Sequence, residues 1–179
     1  LTMSALNLAT PITPSPFEAL DLDHQQIMRM LADMSRLAVH LESHPVDAQA
    51  QETARRIFEF FNGAARQHHA DEEQHVFPAL IRKGEDPLVQ QILRLQEDHG
   101  WIEADWLELA PQFESIAAGY HWHNPDVLAA SVPVFTALYH DHIALEESLI
   151  YPQAKARMSP RELAGIGREM AHRRRMASP

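Results

Sequence analysis

Cysteine is absent from this chain of 179 residues. That excludes disulfides, thiolate-bound metals and thiol nucleophiles, and it fits a cytoplasmic protein. Glycine is scarce, at six residues, and none builds a Gly-rich phosphate loop; His-Glu-x-x-His and Gly-x-Ser-x-Gly are also missing. No run of about 18 apolar residues is available to span a membrane, and the N-terminus lacks the basic segment and apolar core of a signal peptide. Positive charge is in deficit, with 15 Lys and Arg against 25 Asp and Glu and a net charge of −10, so nucleic-acid binding is opposed by like charge. The short run Arg173-Arg174-Arg175 reads as the close of a helix or a frayed tail. Nothing reads as a strand hairpin.

Proline and histidine are in excess, at twelve residues each. Several prolines follow a capping residue, the arrangement of a helix start, because the missing N–H is unpaired there anyway. Ser15-Pro16, Asp86-Pro87, Asn124-Pro125 and Ser159-Pro160 have this form, and Glu18 and Glu162 complete capping boxes. His44-Pro45 is a weaker start, capped instead by Asp47. Gly84 and Gly119 stand where helix C-caps are needed. Five helices are predicted, near 16–43, 46–83, 86–119, 125–156 and 160–174, with short links. The fold class is all-α: an antiparallel up-down-up-down four-helix bundle over 15–157 with an extra short C-terminal helix and tail over 158–179. Residues 1–14 read as an extended arm.

The four long helices carry a seam that steps alternately by four and three residues, as a bundle core requires. It runs Leu20, His24, Ile27, Leu31, Met34, Ala38, Leu41 in the first. It runs Phe61, Ala65, His68, Glu72, Val76, Ala79 in the second, and Leu88, Ile92, Leu95, His99, Ile102, Trp106, Leu109, Phe113, Ile116 in the third. The fourth reads Leu128, Val132, Phe135, Tyr139, His142, Glu146, Leu149. Histidine or glutamate interrupts every seam. Buried charges are usually paired or bound to metal. At about 1.5 Å per residue, all six polar groups lie roughly 12–22 Å from one end of an up-down bundle, so they can share a layer.

Two segments echo each other. His68-His69-Ala70-Asp71-Glu72-Glu73 leads to Phe77-Pro78, and His142-Ile143-Ala144-Leu145-Glu146-Glu147 leads to Tyr151-Pro152. The i, i+4 spacing of each His-x-x-x-Glu puts imidazole and carboxylate on one helix face. A ferritin-like Glu-x-x-His reading fits Glu72 and His75 but fails in the second repeat, where Leu149 stands. His69, Glu73, His75, His140 and Glu147 fall off the seam by a residue or more, about 100° per step, and are expected outside the site. Glu73 and Glu147 are read as solvated. His140 is a candidate to hydrogen-bond a metal-bound histidine. His40, His44, His121, His123 and His172 lie near helix ends. Trp101, Trp106, Phe113 and Tyr139 are expected in the core, Tyr139 also lining a pocket.

The ordered set resembles the hemerythrin-like family, the HHE cation-binding domain. It comprises Asp23-His24-Gln25-Gln26-Ile27, the two His-x-x-x-Glu motifs with Phe-Pro or Tyr-Pro after them, and Glu97-Asp98-His99, and it spans about Phe17 to Pro152. The resemblance implies a non-haem pair of iron ions, oxo- or hydroxo-bridged, held by His24, His68, Glu72, His99, His142 and Glu146. It also implies binding or sensing of O2, NO or peroxide. Other divalent metals suit the same ligands. Oxygen-carrying hemerythrins have a second histidine one turn after the helix-three histidine; here that position is Glu103, a seventh candidate ligand. If both glutamates bridge, each iron has about four protein ligands of a usual six. That favours sensing or reactive chemistry over oxygen carriage and resembles di-iron proteins that repair damaged iron centres, though the cysteine-bearing extensions common in those are absent. An enzyme consuming NO or peroxide is the alternative. A structural bundle with incidental metal, forming a homodimer through the fifth helix, is the third reading.

Overall fold

The computed structural model describes residues 15–177, so the predicted arm at 1–14 lies outside the described residues. Helix α1 (Pro16–His40) is followed by α2 (Ala48–Asn62), α3 (Ala64–Asp71), a π-turn at Glu72–Val76, and α4 (Phe77–Lys83). Then come α5 (Asp86–Ala117), α6 (Pro125–Leu145), a second π-turn at Glu146–Ile150, α7 (Tyr151–Arg157) and α8 (Pro160–Ala177). There is no strand among the described residues. Helix α1 packs on α2 and α6, and α5 packs on the same two, closing a ring of four; α8 lies against α1.

The caps explain most boundaries. Ser15 Oγ accepts from the Glu18 backbone N–H at 3.3 Å, and Glu18 returns a bond to the Ser15 N–H at 3.2 Å. Ser159 and Glu162 repeat this box at α8. Asp47 accepts from the Ala50 N–H at 2.8 Å, and Asn124 from the Asp126 N–H at 3.0 Å. The expected cap at Asp86 differs: α5 already includes Asp86, and Glu85 precedes it without a side-chain cap bond. Gly119 has φ of +75°, the left-handed conformation of a C-cap. Gly84 does not; it is extended, and a Cβ there would sit 2.7 Å from the Leu80 carbonyl oxygen.

The second and fourth bundle helices are not continuous, contrary to the sequence expectation. Gly63 interrupts the second, between α2 and α3. Each then carries a π-turn that begins at a seam glutamate. The Phe77 N–H bonds to the Glu72 carbonyl, and the Tyr151 N–H to the Glu146 carbonyl, five residues back in both cases. Pro78 and Pro152 follow directly; proline has no N–H to give and crowds the carbonyl four residues before it. Proline alone does not force a π-turn, since Pro111 and Pro133 lie inside α5 and α6, which stay α-helical. The extra residue shifts the seam: Ile150 is buried where Leu149 was expected, and Leu149 is only partly covered.

Two apolar clusters fill the interior. One is built on Leu31, Ile57, Trp106, Phe113 and Phe135, and the other on Phe17, Leu20, Phe77, Leu80, Ile92 and Tyr151. Trp101 is 64% exposed and does not join either; it lies one residue before the seam position Ile102, on the outer face of α5. Histidine and glutamate occupy the layer between the clusters.

Candidate metal centre

Six of the seven predicted site residues converge. His24, His68, Glu72, His99, His142 and Glu146 are all buried. They form two overlapping groups, His24-His68-Glu72-Glu146 and Glu72-His99-His142-Glu146, and within each group the potential ligand atoms lie within 4.8 Å of one another. Glu72 and Glu146 belong to both. They are the first residues of the two π-turns, so the local helix distortion sits where the shared carboxylates enter the layer. π-Turns inside α-helices occur often at functional sites.

Glu103 does not join them. Its side chain is 43% exposed and accepts from Arg66 Nε at 3.1 Å. It sits one residue past the seam position Ile102, and the cation on α3 holds it on the surface. In this structure Glu103 stands apart from the other six.

Each candidate histidine presents one ring nitrogen to the layer and the other to a carboxylate. His24 Nδ1 lies 2.9 Å from Glu147, His68 Nδ1 3.2 Å from Asp23, and His99 Nδ1 2.8 Å from Glu73. His142 Nδ1 is 3.6 Å from Asp98. A carboxylate only accepts, so the Nδ1 of His24, His68 and His99 carries a proton, while each Nε2 faces the layer, where that of His24 also meets Glu146 at 3.1 Å. Such partners orient metal-binding imidazoles. Glu73 and Glu147, expected to be solvated, thus act across helix boundaries, although Glu147 is 51% exposed. The doubled Glu-Glu and the Asp preceding His24 and His99 were the available signals in the sequence. Nothing there said which helix each would meet.

The arrangement is an internal repeat. Asp23-His24 matches Asp98-His99, and His68 to Glu73 matches His142 to Glu147. The Asp of each pair faces the histidine of one long motif, and the second Glu of each long motif faces the histidine of a pair.

Several buried atoms of the layer have no hydrogen-bond partner: His68 Nε2, His69 Nε2, Glu72 Oε2 and Glu146 Oε1. Some nonetheless lie close to opposite groups. His68 Nε2 is 3.5 Å from Glu72, His99 Nε2 is 3.3 Å from Glu72 Oε2, and His142 Nε2 is 3.0 Å from Glu146 Oε1. Imidazole nitrogens and carboxylate oxygens thus crowd around common points within the layer. An unpartnered buried polar atom costs about 1–3 kcal/mol, so a cluster of them fits a cation-binding role. The donor set of imidazole and carboxylate fits iron, zinc or manganese.

The electrostatics agree. Burial opposes charging His142, but Glu146, Asp98 and Glu72 outweigh it and push its pKa up to about 10. His24 and His99 are raised against the same burial cost by Glu146 and Glu72, respectively. Burial also opposes the Glu146 carboxylate, yet His142 and His24 hold it well below the usual carboxylate range. The two inner glutamates demand positive charge, which imidazolium or metal can supply.

Two residues join the site that sequence reasoning did not select. His69 Nε2 is buried, and a ring nitrogen of His69 groups with those of His99 and His142 within 4.8 Å. Its ring stacks on His99 at 4.1 Å between centroids. One step off the seam is close enough for an imidazole to reach the layer. Burial, then the neighbouring imidazoles, hold its pKa well below the ordinary range. Tyr151 stacks on His24 at 5.3 Å, donates to Glu72, and lies 3.2 Å from His24 Nε2. The Tyr-Pro that ends the second motif was its only mark in the sequence. Tyr139 is buried and stacks on His69 at 5.7 Å. His140 is exposed, in a groove that also touches His24, Met28, Arg29 and Glu147.

A family model, the hemerythrin HHE cation binding domain, matches residues 15–154. The chain belongs to that family. An uncharacterized protein of Haemophilus influenzae is 30% identical over 162 residues, covering 90% of this chain and 91% of the relative. Uncharacterized proteins of Mycobacterium bovis and Mycobacterium tuberculosis are 26% identical over 133 residues, 73% of this chain. The aligned region is 49% of those relatives, so the match spans about half their length. Membership in the hemerythrin HHE family accounts for the buried layer of histidine and glutamate and its helical frame. Helix α8 lies beyond the matched residues. Among the described residues no helix is long and apolar enough to cross a membrane.

Proposed function

We propose that this hemerythrin HHE protein holds two iron ions in the buried layer and binds or senses O2, NO or peroxide there. The observation that carries this reading is the sharing of Glu72 and Glu146 between two groups of four ligand candidates. Carboxylates can bridge two ions and offset their repulsion, whereas each imidazole serves one. His24 and His68 would hold one ion and His99 and His142 the other, with His69 offering a further nitrogen on the second side. Bound iron supplies a change of oxidation state and open positions for a small ligand. The chain's own residues do the rest. Glu147, Asp23, Glu73 and Asp98 orient the imidazoles, Tyr151 donates to Glu72, and the two apolar clusters keep bulk water from the layer. The ring of neighbouring helices and the short links support an up-down-up-down antiparallel order.

Metal analysis tests the proposal. Protein produced with iron available should carry iron that is mostly lost in Glu72→Ala and in His142→Ala, and its absorption spectrum should change on exposure to O2 or NO. Normal iron in both variants sinks the assignment. Consumption of NO or peroxide beyond one equivalent would make the protein an enzyme.

A further inference from the structure

The internal repeat is broken at His69, which corresponds to Ile143, and again two residues on. Asp71, directly before Glu72, corresponds to Leu145 before Glu146. A carboxylate in a fully buried position needs a cation, and Asp71 has 0% exposure. Helix α8 supplies two. Arg173 donates to one Asp71 oxygen, and Arg174 Nε donates to Asp71 Oδ2 at 2.9 Å. Arg174 then reaches further: its Nη1 lies 3.2 Å from Asp23 Oδ1 and its Nη2 2.5 Å from Asp23 Oδ2. Asp23 Oδ2 is the atom that accepts from His68 Nδ1. A continuous line of bonds thus runs from α8 through Asp23 to the imidazole whose Nε2 faces the layer. The same helix is docked elsewhere by Lys83 with Glu162 and by His75 with Glu169.

We infer that Arg174 is a positioning residue for His68, which makes the C-terminal helix part of the metal site. The inference rests on the cluster being that site. Two parallel N–H bonds from a planar guanidinium fix a carboxylate in rotation as well as in place. The lone pair left to His68 then has one direction, and the ring plane follows it. Lysine offers a point charge and cannot impose this. The corresponding Asp98 stands 3.6 Å from His142 Nδ1, against 3.2 Å for Asp23 and His68.

The test uses the full chain, with Arg174→Met, Arg174→Lys and Lys83→Met compared with the parent. Each is titrated with Co2+ against a competing chelator, reading affinity and the ligand-field absorption bands. Arg174→Met should weaken Co2+ binding by about ten-fold, the scale of losing an outer partner of a ligand, and shift the bands. Arg174→Lys keeps a cation beside Asp71 and should fold, yet it should still lose affinity. Lys83→Met removes another anchor of α8 and should leave both readouts unchanged. In an Asp23→Asn background, Arg174→Met should add nothing, because both act through one imidazole. Parent affinity and bands in the arginine variants overturn the inference. Equal losses in Arg174→Met and Lys83→Met also overturn it, since α8 would then only brace the bundle. If Arg174→Met does not fold, Arg174→Lys decides alone. A parent that takes up no metal removes the function reading, and this inference with it; a parent that binds metal beside unaffected variants removes the inference only.

Discussion

The His68 half of the layer and the His142 half start from nearly the same sequence and end differently held. Each has His-x-x-x-Glu-Glu, a π-turn at the inner glutamate, and an Asp-His pair on a neighbouring helix. In the first half, Asp23 is clamped by Arg174, and Asp71 anchors two arginines of α8. In the second, Leu145 replaces Asp71, Ile143 replaces His69, and the Asp98 contact is longer. The lesson is that a repeat in sequence sets which groups are present, while the rigidity of each depends on what else the fold brings beside it.

Substituting the two aspartates tests that asymmetry most strongly. Asp23→Asn should weaken metal binding by about 10- to 100-fold, and Asp98→Asn by clearly less, both measured by chelator competition. Equal losses would show that the halves are equivalent and that the arginine clamp has no bearing on affinity. A smaller effect is expected from His69→Leu, which should weaken metal binding at the His99 and His142 half and spare the His24 and His68 half. Loss at the His24 and His68 half instead would place His69 with the wrong half. The smallest effect belongs to Glu103→Ala. An exposed ion pair contributes about 0–1 kcal/mol, so the variant should match the parent in metal content and melt within a few degrees of it. A marked fall in bound iron would return Glu103 to the site.

Much of this was legible in the residues. Every seam position of α1 and α5, including His24 and His99, is buried as the four-and-three stepping required. Capping boxes placed the starts of α1 and α8. What failed has specific causes. The seam ran straight through Glu146 to Leu149 because periodicity assumes an unbroken helix, and the π-turn inserts one residue. Periodicity places His69, Glu73 and Glu147 outside the site, because each sits about 100° from the seam. A long side chain at such a position still reaches a neighbouring helix. Glu103 was weighed as a ligand by its spacing from His99, and Arg66 on another helix settled its place.

By itself, the sequence determined most helix starts, the inward faces of α1 and α5 and the six buried groups, because these follow from spacing within a single helix. The tertiary structure alone decided which carboxylate orients which histidine, and that the basic run at Arg173 and Arg174 closes over Asp71 and Asp23 rather than fraying. Those bonds join residues 26 to 151 positions apart. Their partners are chosen by which helices become neighbours, and no local periodicity contains that information.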